Sequence, residues 1–172
     1  MTDLPGAVDR ALEAHDSFAP TADGYALETT VFEAIVTAAE APGERDGAFH
    51  LIVDLPSLSA ATHDPVDPVV EDGWFETLER RLADVFSVAR TSTHEEPRLE
   101  RDPERVRVVL EYVAWDAEEG VDDAKTLIEY VEGTYAQGII PGYEYRGAAA
   151  TLLESAQQRG QQADGERGGT PL

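Results

Sequence analysis

The chain has 172 residues, of which 35 are acidic and 13 are basic, and its formal net charge is -22. It contains no cysteine, which excludes disulfides, thiol nucleophiles and thiolate metal sites. Hydrophobic residues make up 42% of the chain, enough for the core of one domain, and the scattered cations argue against direct binding to nucleic acid.

The acidity predicts adaptation to concentrated salt. At about 1 M salt the Debye length is about 3 Å, so like charges on a surface hardly repel one another. The only lysine, Lys125, agrees with this, because long aliphatic stems add apolar surface whereas carboxylates hold water and cations. We therefore expect a salt-in halophile, a haloarchaeon above all, with solvated monovalent cations at the surface. A disordered chain, a nucleic-acid mimic and a calcium binder are the alternatives, but no D-x-D-x-D-G loop is present.

The chain has no apolar run long enough to span a membrane, and its first nine residues lack the regions of a signal peptide. We expect a cytoplasmic protein that binds no membrane.

The first half of the chain predicts one helix and then strands. Residues 3–16 have helical spacing, with Asp3 as a possible N-cap. Strand formers run from Tyr25 to Val36, and their change of parity at residues 31–32 suggests a bulge or a twist there. A turn at residues 42–47 leads into a strand that carries Phe49, Leu51, Val53 and Leu55 on one face.

The second half predicts three helices and two strands. Residues 56–70 indicate a loop, and Asp72 looks like the N-cap of a helix. Residues 88–96 have strand character, residues 95–104 indicate a connection, and residues 106–115 form the clearest strand. A helix capped by Asp122 or Asp123 follows, then a short one over residues 147–156.

These elements predict an α+β fold, with an antiparallel sheet of about five strands, helices on one face, and the order α-β-β-(β)-α-β-β-α. We assign residues 1–156 to one domain and residues 157–172 to a disordered polar tail.

Three glycines, a proline and three tyrosines fall within residues 132–145, the most unusual stretch of the chain. The plainer interpretation is a helix C-cap, a turn and packed tyrosine rings. The functional one is a surface for a ligand or partner. Its candidate residues are Gly133, Tyr135, Gly138, Pro141, Gly142, Tyr143 and Tyr145.

The central strands are apolar on both faces, which predicts a second buried surface. Ile52, Val109, Val113 and Trp115 lie on the face that the helices would leave open, so we treat them as a candidate dimer face.

No catalytic residue, metal site or cofactor is predicted. The four histidines have no i, i+3 or i, i+4 histidine partner, and His63 with Asp64 and Asp67 is the only compact set of nitrogen and oxygen ligands. There is no G-x-S-x-G, P-loop or G-x-G-x-x-G motif.

Residues 70–82, VEDGWFETLERRL, and residues 130–145, YVEGTYAQGIIPGYEY, resemble segments of a family of haloarchaeal proteins of unknown function. The likeness covers about residues 1–156 and implies no activity. The element order is also similar to that of type III secretion chaperones and YbjN-like proteins, which commonly dimerise and bind other proteins.

The leading hypothesis is a non-enzymatic, chaperone-like module that binds another protein or itself as a homodimer. The alternative is a small-molecule binding protein or enzyme with a pocket near the Gly133 to Tyr145 turn.

Overall fold

The computed structural model describes the backbone of residues 4–168 and the side chains of residues 4–157. The fold is α+β, as predicted. In chain order the elements are α1 (Gly6–Ala14), β1 (Phe18–Pro20), β2 (Tyr25–Leu27), β3 (Glu33–Ala39), β4 (Gly47–Pro56), α2 (Leu58–Ala61), α3 (Pro68–Leu82), a 3₁₀ helix (Val85–Val88), β5 (Thr93–His94), β6 (Arg98–Arg101), β7 (Arg105–Ala114), α4 (Ala117–Gln137) and α5 (Gly147–Gly168).

One antiparallel sheet of seven strands organises the described part of the chain, where about five strands were expected. Its order is β1-β2-β3-β4-β7-β5, and β6 also pairs with β7. Strands β5 and β6 share one edge of β7, with Thr93 opposite Val113 and Arg98 opposite Val109.

The two long strands, β4 and β7, confirm the alternation that the sequence predicts. Phe49, Leu51, Val53 and Leu55 of β4 are all buried. Their β7 partners, from Val106 to Tyr112 on the same face, are buried as well. This inner face forms the core, and the helices pack on it.

Helix α4 is the main cover of the inner face, in contact with α1, α3, α5 and β4. Its Gly120 lies so close to β4 that a Cβ there would be 2.4 Å from Cε1 of Phe49. The hydroxyl of Tyr112 donates a 2.6 Å hydrogen bond to the Gly120 carbonyl. Only glycine therefore allows this approach of helix to sheet.

Helices α3 and α4 both begin earlier than predicted. Helix α3 starts after Asp67, because Pro68 occupies its first position, where no N–H donor is needed. Helix α4 starts after Asp116, whose carboxylate accepts a 2.7 Å hydrogen bond from the Glu118 N–H. The prediction that Asp122 or Asp123 caps this helix was wrong; both lie inside it. The predicted cap of α1, Asp3, lies outside the described residues.

The predicted bulge at residues 31–32 is also wrong, because a turn separates β2 from β3 there. A side chain of α4 holds the backbone of this turn. The Glu132 carboxylate accepts hydrogen bonds from the Val31 N–H, at 3.0 Å, and from the Thr30 hydroxyl. Phe32 then enters the core against Tyr135.

The polar segments on either side of β6 also differ from expectation. The strand predicted over residues 88–96 is reduced to Thr93–His94, and the predicted connection contains β6. The predicted loop over residues 56–70 contains α2 and the start of α3. Pairing with β7 makes Arg98–Arg101 a strand despite its charge, which no local pattern reveals.

Helix α5 continues through residue 168, beyond its predicted end at residue 156. Residues 169–172 lie outside the described part, so the disordered tail stays a prediction. Within residues 4–168, none of the helices combines the length and apolarity needed to cross a bilayer.

Asp123 is 3% exposed and holds the chain that leads to β5. Its two carboxylate oxygens accept hydrogen bonds from the N–H groups of Arg90, at 2.8 Å, and Thr91, at 3.0 Å. The carboxylate thus satisfies two backbone donors of the connection between the 3₁₀ helix and β5.

We predict that Asp123→Ala lowers the free energy of unfolding by about 2 to 3 kcal/mol, because both donors lose a charged acceptor. Urea unfolding in molar potassium chloride measures the change. The control is Asp122→Ala, at the neighbouring and exposed position of α4. This variant should lower the free energy of unfolding by less than about 1 kcal/mol. Equal losses in the two variants would contradict this role of Asp123.

Candidate functional site

The segment after α4 is a tethered connection. Gly138 ends the helix, its N–H donating to the Tyr135 carbonyl at 3.0 Å. Gly142 has a φ of 98° in an exposed turn, a conformation that favours glycine. The chain then pairs with the end of α2: Tyr145 bridges to Thr62, and the Arg146 N–H donates to the Ala61 carbonyl at 2.8 Å.

The hydroxyls of two candidate tyrosines are engaged within the fold. Tyr135 is buried and donates to the Pro56 carbonyl at 3.1 Å, with its ring between Phe32 and Trp74. The half-buried Tyr145 accepts a 2.7 Å hydrogen bond from the Ile140 N–H.

Burial raises the pKa of Tyr135 far above its usual value, with smaller contributions from Tyr145 and Glu71. Burial also raises the pKa of Tyr145, although the hydrogen bond from Ile140 opposes the shift. Both phenols therefore stay protonated near neutral pH, and neither is suited to act as a general base.

A groove of about 360 Å³ lies between α3 and the end of α4, and we call it the α3–α4 groove. Three of the candidate residues line it: Tyr135, Gly138 and Pro141. Its apolar wall comes from Val70, Trp74, Leu78, Ile139, Ile140 and Pro141.

The other four candidates lie elsewhere. Gly133 is exposed on α4 and lines a separate cavity, to which Leu152 and Ala156 of α5 also belong. Gly142, Tyr143 and Tyr145 belong to the turn beyond the groove, and none of them lines it. The structure thus divides the predicted surface among a groove wall, a structural turn and, for Gly133, another face of α4.

Sequence reasoning missed the α3 side of the groove. Val70, Trp74, Leu78 and Arg81 all line it and recur at spacings of four, four and three, which puts them on one helix face. The spacing is present in the sequence, but it does not reveal what this helix face contacts. The nearness of α3 to the end of α4 is a tertiary feature.

The second candidate surface is the outer face of the sheet, opposite the helices. Ile35, Ile52 and Val109 stand side by side on β3, β4 and β7, forming an apolar row. Val109 is 4% exposed, whereas Ile52 and Val113 are half-buried. Among the described elements, the helices pack on the other face.

Charged rows flank this apolar row. Asp54 receives two hydrogen bonds from Arg107, at 2.8 and 3.1 Å, and lies 3.6 Å from Arg105. On the other side, Glu111 lies 2.9 Å from Nδ1 of His50 and 3.6 Å from Arg98. The pairing with Asp54 raises the pKa of Arg107, so this arginine stays charged.

Trp115 is 61% exposed just after β7, on the parity of the outer face. The guanidinium of Arg45 lies 5.0 Å from its ring centroid, a cation–π arrangement. The four predicted dimer-face residues are therefore on one side of the sheet.

Neither surface carries a recognisable catalytic or metal centre. Within the part of the chain that the structure describes, no group of three or more histidine and carboxylate side chains is arranged to hold a metal. The closest contact of this kind is the pair His50 and Glu111.

A family model described as a family of unknown function (DUF5813) matches residues 13–155. The chain belongs to this family. The match covers both candidate surfaces, from the end of α1 into α5. No curated protein and no solved structure is significantly similar to the chain.

We predict that Gly133→Ala raises the free energy of unfolding by about 0.5 to 1 kcal/mol, because Gly133 is a helix-interior glycine with open space where a Cβ would stand. The matched variant is Gly120→Ala in the same helix. Its free energy of unfolding should fall by about 1 to 3 kcal/mol, because the new methyl group clashes with Phe49. Urea unfolding compares the two. A destabilised Gly133→Ala protein would show that this glycine has a structural task that its surroundings do not explain.

Proposed function

We propose that the protein is a non-enzymatic binding module whose partner is a second copy of the same chain, docked outer face to outer face. The observation that carries the proposal is a partly exposed apolar surface on a sheet face that no described helix covers. It consists of the half-buried Ile35, Ile52 and Val113 and the exposed Trp115, around the buried Val109.

The outer face carries both signs of charge, although the chain as a whole has a net charge of -22. Around the apolar row, Asp54 and Glu111 contact Arg98, Arg105 and Arg107. Glu33, opposite Asp54, and Glu100, opposite Arg107, add two carboxylates to the same face. A surface that holds both signs in adjacent rows can also complement itself across a two-fold axis.

The residue types at the end of this face support the same role. Tryptophan and arginine are enriched among the residues that dominate interface energies, and Trp115 with Arg45 forms such a pair at the surface. An exposed tryptophan in the folded monomer leaves a large apolar area in water, which a partner would cover.

The proposed setting is the cytoplasm of a salt-in haloarchaeon. The excess of 35 acidic over 13 basic residues supports it, because molar salt screens the repulsion that would otherwise oppose folding and dimerisation. Chaperone-like binding of other proteins rests on the analogy of element order with secretion chaperones and YbjN-like proteins, and on no residue of this chain.

We predict that the protein sediments as a dimer in molar potassium chloride at micromolar concentration. Ile52→Glu should convert it to a monomer, because the new carboxylate would be buried unpaired at the centre of the interface. Sedimentation equilibrium measures the mass, and circular dichroism shows whether the variant keeps its fold.

The control is Val69→Glu, because Val69 is 80% exposed on α3, away from the sheet face. This variant should stay dimeric. A wild-type protein that is monomeric over the whole concentration range would overturn the proposal, as would a dimer that Val69→Glu disrupts and Ile52→Glu does not.

The proposed setting carries its own prediction. The urea midpoint should fall steadily as potassium chloride is lowered from about 1 M to about 10 mM, because the Debye length grows by about tenfold and the carboxylates then repel one another. A midpoint independent of salt would contradict adaptation to high salt.

A further inference from the structure

The α3–α4 groove lies on the helical side of the sheet and is independent of the outer face. Its volume of about 360 Å³ falls within the range of small-molecule sites, about 300 to 1,000 Å³. Its wall is mostly apolar, with Thr77, Arg81 and Gln137 among the polar exceptions. An apolar concavity with a few polar groups is the usual form of a ligand site.

The charge of the groove is opposite to that of the protein. Acidic residues are spread over the whole chain, yet not one of the residues lining the groove is acidic. Arg81 is the charged group in the lining, and it forms no ion pair within the described part of the chain. The groove therefore offers one unneutralised cation beside an apolar wall.

A second observation concerns the indole of Trp74. This side chain is 8% exposed and lines the groove, yet its Nε1–H donates to no acceptor among the described residues. Nε1 faces Gly138, where an added Cβ would lie 3.2 Å away. Nε1 itself is not fully buried, because among the described residues the one buried side-chain nitrogen or oxygen without a partner is Oε2 of Glu71. The indole N–H is therefore within reach of solvent, or of a ligand that replaces it.

Thr77 does not compete for that role, because its hydroxyl already donates to the Gly73 carbonyl at 2.9 Å. The Tyr135 hydroxyl is also unavailable to a ligand, since it donates away from the groove to the Pro56 carbonyl. Arg81 and Trp74 offer donors to the groove, one of them cationic, and the Gln137 amide offers both a donor and an acceptor. The cationic donor favours a ligand whose polar end is an anionic acceptor.

We propose that the α3–α4 groove binds a small apolar acid: a molecule with an apolar body and one anionic head group. The body lies against Val70, Leu78 and Ile140, the head group pairs with Arg81, and an oxygen of the ligand accepts from the Trp74 indole. A guanidinium suits a carboxylate or phosphate because it donates two parallel hydrogen bonds.

The two tryptophans give the protein a built-in reporter and a built-in reference. Trp74 lies in the groove, and Trp115 is exposed beyond β7. Titration of the full chain with octanoate in molar potassium chloride, followed by ¹H–¹⁵N correlation NMR, should shift the Trp74 indole signal saturably. The Trp115 signal should stay in place; the Trp115→Phe variant assigns the two signals.

Charge recognition is tested with a matched pair of neighbouring arginines and a neutral ligand. Arg81→Gln should weaken octanoate binding by about tenfold or more, which corresponds to the loss of one charge-assisted contact, and should leave 1-octanol nearly unaffected. Arg80→Gln, at an exposed position outside the groove lining, should leave both ligands unaffected.

Occupancy is tested with a second matched pair on α3. Val70→Phe places a larger side chain in the groove and should weaken the binding of both octanoate and 1-octanol. Val69→Phe, outside the groove, should leave the binding of both unchanged. A stationary Trp74 signal, equal affinity for octanoate and 1-octanol, or equal effects of Arg81→Gln and Arg80→Gln would overturn the proposal. The Ile52→Glu variant should still bind octanoate, so the proposed ligand site and the proposed dimer are tested independently.

Discussion

The pairing of β4 with β7 is the interaction on which the rest of the structure depends. The two strands align over ten residue pairs from Gly47 opposite Ala114 to Pro56 opposite Arg105. Because side chains alternate along a strand, this one register sends every core residue of both strands to the inner face and every charged pair to the outer face. A slip of one residue would exchange the two faces. Close packing of α4 on β4, with Gly120 against Phe49, then fixes the helical layer on the inner side.

Both candidate surfaces follow from that arrangement. The outer face exists because the described helices are all used on the other side, and its central row is apolar because Ile35, Ile52 and Val109 fall in register. The α3–α4 groove exists because α4 ends at Gly138, beside Trp74 of α3, and the chain turns away. Two carboxylates of α4 hold loops that have little apolar area of their own. Glu132 accepts a hydrogen bond from the Val31 N–H, and Asp123 accepts one from the Arg90 N–H.

The distribution of charge distinguishes these surfaces from the rest of the protein. A net charge of -22 gives the molecule a repulsive field towards anions and towards its own copies at low salt. The outer face offsets its acids with arginines in direct contact, and the groove has no acid in its lining. Both proposed binding surfaces thus contain arginines, Arg107 and Arg98 on the outer face and Arg81 in the groove.

The sequence by itself determined the acidic, cysteine-free character of the protein, its α+β class, the inner faces of β4 and β7 and the C-cap at Gly138, because composition, period-two alternation and glycine at a helix end are local properties. It misplaced the N-caps of α3 and α4. Near the start of α4, Asp116, Asp122 and Asp123 all satisfy the local pattern of a cap, and only the fold shows that Asp123 is buried and binds the backbone at Arg90. It also missed β6 and the α3 wall of the groove. Those features were decided by the tertiary structure alone, because strand pairing and helix contact bring together residues far apart in sequence, and no local pattern records such a meeting.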